Sequence, residues 1–179
     1  MTAAQARQHT PAAPHQEFVI SRTFDAPREL VWKAFTEAER MQHWWGPKGF
    51  QVIASKMDLR PGGTYHYGMR APDGSTMWGK FIYREIVRPE RIVAVTSFSD
   101  EAENVTRHPM SPTWPLKMLS TFLFAEKDGR TTLTVHWSPL DAEETERATF
   151  ANAHPSMQQG WSGTLDQLAA YLTKALTKA

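Results

Sequence analysis

From Phe50 to Ser138 the chain consists almost wholly of short alternating segments separated by turn signals, and one long helical pattern follows them. The segments are "FQVIASKMDL" (50–59), "TYHYGMR" (64–70), "MWGKFIYREIV" (77–87), "IVAVTSFS" (92–99), "KMLSTFLFAE" (117–126) and "RTTLTVHWS" (130–138). "RPGG", "APDGS", "RPER" and Lys127-Asp128-Gly129 join most of them, and turns this short make neighbouring strands antiparallel. The closing pattern carries Met157, Trp161, Leu165, Leu168, Leu172 and Leu176, the intervals of one helix face. A curved antiparallel sheet needs its concave face covered, and only this last helix is long enough to do it.

The start of the chain fits the same plan. "FVISRTF" (18–24) reads as a strand with Phe18, Ile20 and Arg22 on one face. Helical spacing then takes over, with Asp25 or Ala26 as the cap and Pro27 in the first turn, where a missing N–H costs nothing. Leu30, Val31, Ala34, Phe35 and Ala38 form its apolar face, and a second short helical turn runs from Glu39 to Trp44. Residues 100–116 hold three prolines and little periodicity, which predicts a long loop, a candidate lid. Helices segregated from an antiparallel sheet define an α+β fold.

At 179 residues the chain is expected to form one domain, over 17–176, with residues 1–16 as a disordered tail rich in Ala, Gln and Pro. No apolar run matches a secretory signal or a membrane span. There is no cysteine, which removes disulfides and thiolate chemistry and fits a cytoplasmic location. Twenty basic against nineteen acidic residues, with no basic run longer than a pair, argue against nucleic acid as a partner. The pattern is compatible with a homodimer without establishing one.

Candidate site residues come from the aromatic content. "WWGP" (44–47) puts Trp44 and Trp45 on a bend, where one can point inward and the other can lie across a cavity rim. Plain core packing explains them equally well. Tyr65, Tyr67 and Met69 alternate against His66, Gly68 and Arg70. Inward-facing phenols need partners or water, so they suit a half-wet wall better than an oily core. With Phe81, Phe98, Phe122, Phe124, Trp137, Trp161 and Leu165 they make a candidate cavity lining, although a slip of one residue would reverse every strand face. His66 and His136 are expected outward, and His154, beside the helix-breaking Pro155, within reach of a cavity mouth. The histidines are scattered, so no metal site is expected. No nucleophile elbow or phosphate loop is present, and no catalytic residue or cofactor is assigned. Glu85 is the most interesting carboxylate if it faces inward; pairing with Arg84, Arg88 or Arg91 on the outside is the favoured reading. Gly160 and Gly163 inside the long helix each cost about 1 kcal/mol against Ala, which suggests close approach there.

These residues resemble a known family. "FDAPRELVWKAFT", "WWGP", "RPGGTY", "PDGS", "REIVRPERIV", "HPMSPTWP", "GRTTLTVHW" and "SMQQGWSGTLDQLAAYL", in that order, are similar to the stand-alone bacterial proteins of the AHSA1-like group in the START/Bet v 1-like (SRPBCC) superfamily. The likeness runs from Glu17 to Leu176. It implies a helix-grip fold, with a strongly curved sheet around the C-terminal helix and a deep, mostly apolar cavity between them. It further implies a binding protein for a small apolar or aromatic molecule. The alternatives are a cyclase- or dehydratase-type enzyme using the same cavity and a co-chaperone-like interaction module. The co-chaperone that names the group has a separate N-terminal domain for which this chain is expected to have no room, so Hsp90 activation is not carried over.

Overall fold

The computed structural model describes residues 17–178; the expected tail, residues 1–16, lies outside them. Strand β1 (Phe18–Phe24) buries Phe18, Ile20 and Phe24 on one side and turns Val19, Ser21 and Thr23 outward. Helices α1 (Arg28–Thr36) and α2 (Ala38–Met41) follow. Then come β2 (Gln51–Met57), β3 (Thr64–Arg70), β4 (Thr76–Val87), β5 (Arg91–Ser99), β6 (Val105–Thr106), β7 (Met118–Lys127) and β8 (Arg130–Pro139). Helices α3 (Glu144–Asn152) and α4 (His154–Thr177) end the described chain.

All strand pairs are antiparallel, in the order β1-β8-β7-β5-β4-β3-β2, with the short β6 on the outer end of β5. The first strand therefore sits beside the last, joined through Phe18↔Trp137 to Phe24↔Thr131. Irregularities in register between Val52 and Ala54 and between Tyr83 and Glu85 bend the sheet, as an unpaired residue in one strand of a ladder does. The result is a curled sheet gripping a long C-terminal helix, the α+β helix-grip fold. Met157, Trp161, Leu165, Leu168 and Leu172 are all buried against the concave face, as the stripe predicts. Leu176, the sixth member, is exposed, because the last helical turn runs past the packed core.

Two local expectations change. The 100–116 segment is not wholly loop: after a turn in which Asn104 donates to the Asp100 carboxylate, Val105 and Thr106 pair with Ser99 and Phe98. Asp25 does not cap α1. It pairs with Arg130, Pro27 takes the cap position, and the free N–H of Arg28 is met by the Glu126 carboxylate from β7. Ahead of Pro155 the separate helix α3 opens with a capping box in which Glu143 and Glu146 satisfy each other's backbone N–H groups. The returning chain then enters α4 at His154, with Pro155 in its first turn. Among the described residues no helix is long and apolar enough to cross a membrane.

Candidate functional site

The paired tryptophans of the bend do two different jobs. Trp44 is essentially fully buried; its ring lies 4.7 Å from that of Phe35, and its indole N–H donates to the Ala34 carbonyl at 3.1 Å. That carbonyl belongs to the last turn of α1, where helix carbonyls have no partner within the helix. Trp45 turns the other way and meets Tyr67, Phe81 and Trp161 edge-to-face at centroid distances of 5.7, 5.5 and 5.7 Å. The bend is possible because Gly46 adopts φ +103°, and Gln167 of α4 holds it by donating to the carbonyls of Trp44 and Gly46. A side chain at position 46 would be strained there and would also press on the Met69 sulfur.

Trp45 forms part of the wall of a hollow of about 470 Å³ between the sheet and the first half of α4. From the sheet come Tyr67 and Met69 on β3, Met77 and Phe81 on β4, and Thr96 to Phe98 on β5. Met118 and Phe122 on β7 and Trp137 on β8 complete that side. Tyr67 can lie flat on the sheet because its cross-strand partner is Gly79, and a Cβ there would meet the Tyr67 ring and hydroxyl at about 2.2 Å. From α4 come Met157, Gly160, Trp161 and Thr164, and Thr149 and Ala153 extend this wall backwards. The last wall is the segment carrying His108, Ser111, Trp114 and Pro115.

That last wall is tied down at several points. Trp114 packs on the buried ring of Phe150 at 5.7 Å, and the Thr149 hydroxyl donates to that of Thr113 at 2.9 Å. Arg107 pairs with the Glu146 carboxylate, which is nearly covered. The Arg107 guanidinium, then the backbone N–H of Glu143, hold the Glu146 carboxyl below its ordinary value of 4.5. A depressed carboxyl contributes stability that is present above the unfolded pKa and lost as pH falls through the folded one. Urea unfolding of the protein and its Glu146→Gln variant should therefore differ most above pH 4.5. The two curves should converge as the pH drops below that value, and a gap that is constant with pH would show the pair to be without effect.

The polar groups facing the hollow are few. Burial pushes the Tyr67 phenol up to about 12, with the Trp45 indole N–H approaching its oxygen and pulling the other way. That approach falls short of hydrogen-bond geometry, and the Trp45 N–H is left without a partner. His108 lies against Phe98 at 4.6 Å, and burial lowers its pKa. Its Nδ1 accepts the Met110 N–H at 3.0 Å, so in the neutral ring the proton sits on Nε2. Among the described residues no Asp, Glu, Lys or Arg contributes to the wall. Glu85 lies outside, paired with Arg91. Among the described residues no group of three His, Asp or Glu side chains is placed to hold a metal ion.

Of the twelve residues picked out from sequence, Trp45, Tyr67, Met69, Phe81, Phe98, Phe122, Trp137 and Trp161 border the hollow. Trp44, Tyr65, Phe124 and Leu165 do not. Tyr65 is fully buried, with its hydroxyl on Ser55; Phe124 packs under Trp32 and Phe35; Leu165 is sealed in the core. His154 is also absent from the wall, its ring wedged between Phe18 and Phe150. His66 faces the convex side as expected, yet it is buried there, stacked on Trp78 and bonded to the Asp100 carbonyl. The 108–115 wall lies inside the segment read as a candidate lid, but none of its lining residues was picked out, because it has no period to read. Gly160, read as a place of close approach, instead faces open space, with nothing within 4 Å of a Cβ there, whereas Gly163 does lie against Lys48; Thr164 was missed.

Comparison with known proteins agrees with this architecture. A protein from Nitrosomonas europaea of known crystal structure superposes with a TM-score of 0.73 at 21% identity, over 92% of this chain and 99% of that one. A solution structure from Arthrobacter aurescens gives 0.74 at 22% identity, over 89% and 87%. The AHSA1 protein from Silicibacter pomeroyi gives 0.65 at 19%, over 89% and 99%. At these identities the likeness shows the fold. A search of curated proteins returned no match. The family model for activator of Hsp90 ATPase homolog 1-like proteins matches residues 25–173. With nearly the whole folded chain inside that match, this protein belongs to the AHSA1 family.

Proposed function

We propose that the protein is a binding module that encloses one small, largely apolar molecule in the hollow between sheet and α4. AHSA1/SRPBCC folds commonly bind hydrophobic ligands, which supports this reading at the level of the fold. The observation that carries it is the hollow itself: about 470 Å³, walled by aromatic and methionine side chains, inside the range usual for small-molecule sites. Methionine adapts its shape at little cost, so Met69, Met77, Met118 and Met157 suit a wall that must close around a guest. The Arg107–Leu116 segment would act as the lid, and residues 17–176 as the single domain that carries the site. A cytoplasmic location fits a chain without cysteine.

Acid–base catalysis finds less support. Among the described residues the wall holds no carboxylate, and His108 presents a proton on Nε2 where a base would need a free lone pair. Native mass spectrometry of freshly purified protein tests the reading directly. A stoichiometric adduct that leaves on denaturation is the expected result, and extraction then gives its chemical class. A clean apo mass that persists after incubation with hydrophobic extracts would count against a carrier and in favour of an interaction module.

A further inference from the structure

Resting on the binding reading above, we infer that the ligand is an uncharged, flat aromatic molecule bearing a hydrogen-bond acceptor such as a carbonyl, received by the Tyr67 hydroxyl.

The absence of charge follows from the wall. Among the described residues its only titratable side chains are Tyr67 and His108, and burial keeps both neutral around pH 7. An ion entering this space would leave water and find no counter-charge, a heavy penalty in a low-dielectric site. An anion has no Lys or Arg to meet it there, and a cation has no carboxylate. A neutral guest avoids the penalty altogether.

Flatness follows from the way the rings are set. Phe81 and Phe122 lie nearly parallel, 9° apart with centroids separated by 6.0 Å, a stacked pair on the sheet side of the hollow. Trp45 and Trp137 both stand edge-on to Trp161, at 75° and 80°, and Trp45 and Trp161 in turn lie against Phe81 and Phe122. Ring walls of this kind favour offset or edge contacts with another ring.

The need for an acceptor comes from what the polar atoms leave free. The Thr164 hydroxyl gives its hydrogen to the Gly160 carbonyl, and the Thr96 and Ser120 hydroxyls share theirs. Tyr67 is different. Trp45 approaches its oxygen as a donor, and among the described residues no acceptor takes the phenol's own proton. Further donors stand around it: the His108 Nε2–H, fixed by the Met110 N–H on its other nitrogen, and the indole N–H groups of Trp45 and Trp137, both buried without a partner among the described residues. A hydroxyl donor in an apolar space, with nothing to receive its proton, is the complement of a carbonyl.

Three probes of one size separate the elements of this inference: 2-acetonaphthone, 2-ethylnaphthalene and 2-naphthoate. Their binding at pH 7.5 can be read by calorimetry and by quenching of the tryptophans that border the hollow. The expected order is acetonaphthone tightest, ethylnaphthalene about tenfold weaker for want of the hydrogen bond, and naphthoate at least about 100-fold weaker than acetonaphthone. In Tyr67→Phe the advantage of the ketone over the hydrocarbon should shrink several-fold. Binding of ethylnaphthalene, unchanged in that variant, shows that the pocket is still folded. Naphthoate binding as tightly as acetonaphthone would overturn the requirement for a neutral guest. A ketone preference that survives in Tyr67→Phe would overturn the role of the phenol. Should none of the three bind, the binding reading itself fails and this inference falls with it.

Discussion

Replacing Trp44 with alanine should lower the unfolding free energy by about 3–5 kcal/mol, the range for truncating a large aromatic in a packed core. Trp44 is 1% exposed and lies between Phe35 and Trp45, so the vacated space has no side chain free to fill it. The substitution also removes the indole N–H from the Ala34 carbonyl, leaving a buried acceptor at the end of α1 unpaired. Trp44→Phe separates the two contributions. It keeps a ring in place and should lose only the hydrogen bond and the smaller apolar area, about 1–2 kcal/mol. Urea unfolding followed by circular dichroism measures both. A loss below about 1 kcal/mol for Trp44→Ala would mean that the bend repacks and that the division of labour between the two tryptophans is wrong.

The second large effect concerns an empty place. A Cβ built on Gly160 meets nothing within 4 Å, although Gly160 lies inside the longest helix and borders the hollow. Glycine there costs the helix about 1 kcal/mol relative to Ala, with Leu close to Ala. Gly160→Leu should therefore leave stability unchanged or raise it by up to about 1 kcal/mol, while its side chain occupies the ligand's space. Binding of 2-acetonaphthone should weaken by about 10- to 100-fold, matching the 1–3 kcal/mol typical of forcing extra methylene groups into filled volume. A variant that is more stable and still binds normally would place the ligand elsewhere. One that is less stable would show that the space at Gly160 is not open.

These two residues also show how much of the molecule could be read in advance. The order of elements, the antiparallel pairing and the buried stripe of α4 follow from local pattern: alternation, turn chemistry and helical spacing each act over a few residues. The faces of β3, β7 and β8 were legible for the same reason, since Tyr65, Tyr67 and Met69 must share a side whatever covers it. Glu85 was legible as an outward residue because arginines stand beside it in the chain, and Arg91 is its partner.

What local pattern could not show is where along each inward face the packing stops. Tyr65 and Tyr67 point the same way two residues apart, yet the first is sealed beside Ser55 and the second borders the hollow. Phe122 and Phe124 divide in the same manner: Phe35 of α1 touches both rings, but Trp32 of the same helix lies against Phe124. On α4, Trp161 and Leu165 lie one turn apart, one at the hollow and one in the core. The sequence by itself determined which residues turn inward, since inwardness is set by the period of the local backbone. Only the tertiary structure decided which of them border open space, because a cavity is what remains after α1, α3, α4 and the Arg107–Leu116 segment, far apart in the chain, have taken their places over one curled sheet.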